Sequence, residues 1–254
     1  MSEQDDVRLD GKVAIVTGAS SGLGRATALA LARRGAFVAL LARTADDLRA
    51  VATGIAGDGG HALPVPVDLA DEAALAAAVA RTVDAFGRVD ILVNAAGTDA
   101  PGPAETLPTS DWDRVLAVNL RAPFILAREV FPHLRQAGGG TIVNVSSVAG
   151  KRGWANAAAY CASKFGLTGL TQSLAAEGKA HGIRVCILYP GGMATSWGIF
   201  SPAARDRAAP ETRPVTKALP PAEVAALIVW IVTSPPELVL NEAVVGPLEE
   251  GGWP

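Results

Sequence analysis

Tyr160 and Lys164 stand four residues apart. On a helix that spacing is about one turn, so the phenol and the ammonium project from one face. A tyrosine hydroxyl titrates near pH ~10 in water. A lysine cation beside it favours the phenolate and draws the pKa toward the range where a general acid or base works. Ser147 lies upstream, and its hydroxyl can hold a substrate oxygen against the same phenol. The chemistry open to these side chains is proton transfer at a carbon–oxygen centre.

A second pattern lies near the N-terminus, Thr17-Gly18-Ala19-Ser20-Ser21-Gly22-Leu23-Gly24. It directly follows an apolar strand-like run and opens a helix. Gly18 permits a sharp turn, Gly22 a close approach of backbone to a pyrophosphate, and Gly24 tight packing of the helix on the sheet. The helix N-terminus adds free N–H groups and partial positive charge. A mononucleotide loop would end Gly-Lys-Ser/Thr, whereas this chain reads Gly24-Arg25-Ala26. About twenty residues past such a loop a carboxylate would hold the ribose of NAD. Here the second strand ends Ala42-Arg43-Thr44. A guanidinium suits a 2′-phosphate, and no carboxylate stands there to repel it. NADP is therefore favoured over NAD.

The elements that position these groups follow from the hydrophobic pattern. Strands are expected at 13–17, 37–41, 63–67, 91–94, 141–145 and 184–188. Helices are expected at 23–34, 45–56, 72–86, 112–135 (bending at Pro123) and 157–180. Short buried strands alternating with helices imply repeated βαβ units. The expectation is an α/β, Rossmann-like, doubly wound parallel sheet in three α/β/α layers, with residues 1–254 forming one nucleotide-binding domain. Residues 191–220 break the rhythm with Pro202, Pro210, Pro214 and Pro220. A loop that long, leaving the carboxyl edge of the sheet, reads as a substrate lid.

Composition narrows the function classes. Of 254 residues, 50% are hydrophobic and 19% charged, with a formal net charge of −3. That gives no electrostatic footprint for nucleic acid or an anionic membrane. Cys161 and Cys186 make no disulfide framework and read as small buried hydrophobes. The polar start and the lack of an apolar run of ~18–20 residues point to a soluble cytoplasmic protein. His61, His133 and His181 lack metal-ligand spacing, so no metal is expected.

With the glycine loop, Asp68, Asn94-Ala95-Ala96-Gly97, Asn119, Ser147, Tyr160-x-x-x-Lys164 and Pro190-Gly191 in order, the chain resembles the short-chain dehydrogenase/reductase family. The match runs from about Gly11 to Thr195. The resemblance implies that Tyr160 is the general acid or base. Lys164 would lower its pKa and hold the nicotinamide ribose, and Ser147, rather than the adjacent Ser146, would polarise the carbonyl. Asn119 would hold a water that relays protons from Lys164. Gly18, Ser20, Ser21, Gly22, Leu23 and Gly24 would cradle the cofactor, with Arg43 at its 2′-phosphate. Asp68 and the adjacent Leu69 would meet the adenine, and Asn94, Ala95 and Gly97 would form the turn along the cofactor. Pro190, Gly191 and Thr195 would fix the carboxamide side of the nicotinamide.

The activity so implied is NADP-dependent interconversion of a ketone, keto acid or keto ester with a secondary alcohol. The alternatives are a 3-oxoacyl carrier-protein reductase, marked by a basic patch, or a non-catalytic NADP-binding redox sensor. A homo-oligomer is implied too, a dimer or a homotetramer. The run Pro235–Val245 resembles a branch of the family acting on small hydroxy acids and polar alcohols, while 246–254 departs from any ending expected. Trp154, Met193, Trp197 and Phe200 could wall the substrate site, and Lys151 and Arg152 could attract an acidic substrate.

Overall fold

The computed structural model describes residues 7–195 and 218–248. The chain runs β1 (Val13–Thr17), α1 (Gly22–Arg33), β2 (Phe37–Ala42), α2 (Ala45–Gly57), β3 (His61–Pro66), α3 (Glu72–Phe86) and β4 (Ile91–Asn94). It continues with α4 (Thr109–Leu116), α5 (Ala122–Gln136), β5 (Gly140–Val145), α6 (Ala158–Gly178) and β6 (Ile183–Pro190). The last two elements are α7 (Pro221–Thr233) and β7 (Glu242–Val245).

The seven strands form one sheet in the order β3-β2-β1-β4-β5-β6-β7, every pair parallel. Successive side chains of a strand face opposite ways, and the two faces build separate cores. Val16, Leu40, Val93 and Leu188 pack with Leu31 of α1, Leu48 of α2 and Ile228 of α7. Ile15, Leu41, Leu92 and Ile142 pack with Leu75 of α3, Leu126 and Val130 of α5 and Leu174 of α6. These are the three layers expected. The order reverses between β1 and β4, where a doubly wound sheet opens its ligand crevice.

Three details differ from the pattern-based expectation. The strand expected at 63–67 starts at His61, whose ring meets Phe37 edge-on with centroids 4.7 Å apart. It tolerates Pro64 and Pro66 because β3 is a sheet edge. The long helix does not simply bend at Pro123. Between α4 and α5 it widens into a π turn at Ala117–Arg121, where the Ala122 N–H bonds the Ala117 carbonyl. Pro123 has no N–H to offer the Asn119 carbonyl four residues back, so regular α-helix cannot close there. The third difference is α7 and β7, which the strand–helix rhythm did not mark. The sequence of α7, PAEVAALIVWIVT, is apolar on nearly every side and so carries little periodicity.

Candidate active site

A cavity of about 350 Å³ opens beside the carboxyl ends of β1, β2 and β4. Of the residues expected to hold a cofactor, it brings together Gly18, Ser20, Ser21, Gly22, Leu23, Gly24, Arg43, Asp68, Leu69, Ala95, Gly97 and Thr195. Gly18 and Gly22 both have positive φ, +69° and +53°, which L side chains rarely adopt. A Cβ on Gly18 would come within 3.0 Å of the Ala96 Cα, and one on Gly24 would strike the Gly18 carbonyl oxygen. The loop is therefore a cradle that only glycine permits. It sits at the start of α1, whose first turn has no acidic residue and whose N-cap, Ser21, makes no side-chain capping bond. That end of the helix suits phosphates. The donor set, shape and charge fit a nicotinamide dinucleotide.

The cavity floor is fastened by Thr17. Its Oγ1 accepts from both Ala95 N (3.0 Å) and Ala96 N (3.1 Å), tying the turn after β4 to the strand before the glycine loop. Asp68 accepts from Arg114 Nη1 at 2.9 Å and from Ala70 N at 3.0 Å. The Arg114 bond holds the Asp68 carboxyl below its ordinary pKa. Arg43 is exposed and shares the cavity rim with Asp47, one turn into α2. Asp47, Arg114 and the fastening role of Thr17 were not foreseen. Arg114 lies on a helix far along the chain from Asp68, with no local signal linking them, and only the carboxylate at Asp47 could have flagged a charge opposing a 2′-phosphate.

Proline 190 and Gly191 do not line this cavity. Pro190 ends β6 and is buried, and the Gly191 N–H donates to Val245 O of β7 at 2.8 Å. Asn94 also points away from it. Its Nδ2 donates to Asn144 Oδ1 at 2.8 Å inside the sheet.

The proton-transfer groups gather where β5 meets α6. Ser147 follows β5 and caps a short 3₁₀ turn, its Oγ accepting from Ala149 N at 3.2 Å. The Ser147 hydroxyl lies near enough to the Tyr160 phenol to favour its ionised form. Ser146 points the other way and donates to Lys164 O at 3.3 Å. Lys164 is 3% exposed, and its Nζ donates to Val145 O at 2.9 Å. Asn119, in the π turn, is held through both atoms of its amide. Its Oδ1 accepts from Thr98 N at 2.9 Å, and its Nδ2 donates to Thr98 O at 2.8 Å and Ser163 Oγ at 3.0 Å.

The electrostatics correct one expectation. Burial pushes the Tyr160 phenol up, outweighing the nearby Ser147 hydroxyl, which favours phenolate, and the Asp99 carboxylate adds to the rise. Burial also pushes the Lys164 pKa down, to about 8. Two groups expected to share a cation–phenolate pair are thus both driven toward their neutral forms by low dielectric.

Of the expected lid, 196–217 lie outside the described residues, with Trp197 and Phe200; so do 249–254. The ends flanking 196–217 meet as a short parallel bridge, Met193 with Leu219. Met193 lines the cavity, and Trp154 is exposed. Lys151 Nζ pairs with Glu242 Oε2 at 2.8 Å and lies 4.4 Å from the Tyr189 ring centroid. Both cysteines are buried and unpaired. Among the described residues, no helix is long and apolar enough to cross a membrane.

Residues 12–204 match the model of the short chain dehydrogenases. A D-threitol dehydrogenase of Mycolicibacterium smegmatis is 40% identical over 91% of this chain and 89% of its own. A cis-4-hydroxycyclohexanecarboxylate dehydrogenase of Sinomonas cyclohexanicum is 38% identical over 91% and 92%. The crystal structure of a metagenomic short-chain oxidoreductase in complex with NADP superposes with a TM-score of 0.82 at 37% identity, over 95% of this chain and 99% of that one. A seven-stranded parallel sheet, a glycine-built dinucleotide cradle and a serine–tyrosine pair beside a buried lysine belong together in this chain, which is a member of the short-chain dehydrogenase family.

Proposed function

We propose that the protein is an NADP-dependent oxidoreductase that interconverts a carbonyl and a secondary alcohol, with Tyr160 as the proton-transfer group. The observation that carries this reading is the gathering of Ser147, just past the end of β5, with Tyr160 and the buried Lys164 on one helix.

The nicotinamide would supply a hydride to the carbonyl carbon. The chain's own residues do the rest. Ser147 orients the carbonyl oxygen, and Tyr160, kept protonated by burial, donates its proton to that oxygen as the alcohol forms. General-acid catalysis of this kind contributes roughly 10²–10⁴-fold. Lys164 holds the ribose side and restores the phenol's proton along the path that begins at Asn119. Arg43 supports NADP over NAD through a charge-assisted contact with a 2′-phosphate.

Two further parts of the reading have their own support. A homo-oligomer is supported by an apolar groove along α4, α5 and α6 lined by Leu116, Leu120, Phe124 and Leu170, with Phe124 45% exposed. A cytoplasmic setting is compatible with two unpaired cysteines. The carrier-protein alternative wants free basic charge beside the site, and Lys151 is already paired with Glu242.

The test is NADPH consumption by wild type and Tyr160→Phe across ketones, keto acids, keto esters and 3-oxoacyl thioesters. Turnover abolished in the variant, with NADPH binding retained, supports the enzyme. Equal activity in both removes Tyr160 from the mechanism. Binding without turnover of anything favours the sensor.

A further inference from the structure

The loop between β4 and α4 carries a carboxylate, Asp99, that the chemistry above does not use. This loop is tied at two points to the structure that holds Tyr160. At Thr98, both backbone groups are gripped by the Asn119 amide. That amide also donates to Ser163 Oγ, which in turn donates to Tyr160 O at 2.7 Å. At Gly102, the N–H donates to Asn156 O at 2.9 Å, and Asn156 stands four residues before Tyr160. Asn156 is held at φ +62°, the one non-glycine residue with positive φ among those described.

Asp99 lies between these ties, next to Thr98. It is half-buried, the preceding Gly97 and Thr98 line the cofactor cavity, and a negative charge on it opposes ionisation of Tyr160. Among the described residues its carboxylate accepts only from the neighbouring Ala100 N, at 2.7 Å. Two lysines of the β5–α6 region are committed elsewhere, Lys164 to Val145 O and Lys151 to Glu242. A half-buried carboxylate with no cation beside it among the described residues costs desolvation free energy unless a donor reaches it. An ionised carboxylate only accepts, so what completes it must bring an O–H or N–H. A neutral hydroxyl makes a short charge-assisted bond there, while a carboxylate on the substrate is repelled.

Resting on the oxidoreductase reading, we propose that Asp99 is a specificity-determining residue that accepts a hydrogen bond from a substrate hydroxyl beside the reacting carbon. The preferred substrates are then α-hydroxy ketones and the vicinal diols they come from, and α-keto acids are disfavoured. This narrows the ketone, keto acid and keto ester range of the broader reading to its hydroxylated members.

Three carbonyl compounds of similar size make the test: hydroxyacetone, butanone and pyruvate. Their kcat and KM with NADPH are measured for wild type, Asp99→Ala and Asp99→Asn. Wild type should prefer hydroxyacetone over butanone by about tenfold or more in kcat/KM, with pyruvate poorest. Asp99→Ala should erase that preference while leaving butanone within about threefold, which also reports a folded site. Asp99→Asn keeps an acceptor oxygen without the charge, so it should retain part of the hydroxyl preference and gain on pyruvate. An unchanged hydroxyacetone-to-butanone ratio in Asp99→Ala, or an equal loss on all three compounds, overturns the assignment. So does wild type that ignores hydroxyacetone yet reduces other ketones through Tyr160, an outcome that leaves the oxidoreductase reading standing. Wild type inert toward every carbonyl sinks both.

Discussion

The Lys164 ammonium donates to the Val145 carbonyl at 2.9 Å and stands 5.7 Å from the centroid of the Tyr160 ring. The same burial that pushes its pKa down to about 8 pushes the Tyr160 phenol up. Charge on this lysine is therefore a stability cost of the site.

That cost has a pH signature. An unfolded chain keeps the lysine proton to about pH 10.4, whereas the folded chain releases it near 8. Between those values the unfolded state binds more protons, so stability rises with pH. Above pH ~10 the sign reverses, because the folded chain retains the Tyr160 proton that an unfolded chain gives up. Lys164→Met should abolish the rise between pH 8 and 10 and gain up to about 3 kcal/mol at pH 7, less about 1 kcal/mol for the lost bond to Val145. Denaturant unfolding at pH 7 and 9.5 checks both. A flat wild-type profile, with the variant less stable at pH 7, would show that the core accommodates the ammonium without penalty.

Arg43 and Asp47 line the same rim with opposite charge. Arg43→Glu should weaken NADPH by about 10- to 100-fold, the worth of a charge-assisted contact, and leave NADH unchanged or better. Asp47→Asn should tighten NADPH by about two- to fivefold at low salt, since exposed charges are screened. Dissociation constants for both nucleotides at two ionic strengths decide the matter. Parallel losses of NADPH and NADH in Arg43→Glu would mean that this guanidinium does not read the 2′-phosphate.

What was legible in the sequence was what lies within one element or repeats. The glycine loop, the Tyr160–Lys164 turn and the strand–helix alternation each depend on neighbours a few residues apart, and spacing alone reveals them. That Ser146 and Ser147 face opposite ways followed from strand alternation. What stayed hidden depends on distant pairs or on burial. Arg114 on Asp68, Thr17 beneath Ala95 and Ala96, and Lys151 on Glu242 join elements that only the sheet order brings together. The Tyr160 shift was misjudged because spacing shows a cation nearby but not how little water reaches either group. Helix α7 escaped since a nearly all-apolar stretch has no face to find.

Behind the site, β4, β5 and α6 share a buried polar chain. Asn94 Nδ2 donates to Asn144 Oδ1 at 2.8 Å, Asn144 Nδ2 donates to Thr171 Oγ1 at 2.9 Å, and Thr171 Oγ1 donates to Leu167 O at 2.7 Å. Asn94, Asn144 and Thr171 are at most 4% exposed, so a partner removed from any of them leaves a group that water cannot reach. Asn144→Ala should cost about 1–3 kcal/mol, lowering Tm by about 2–4 °C for each kcal/mol. Asn94→Ala should cost a similar amount, because it strands Asn144 Oδ1. The double variant should cost less than the two singles together, since each already breaks the bond they share. Strict additivity in a thermal-unfolding cycle would mean that the bond contributes nothing, and that the paired asparagines align β4 and β5 only by packing.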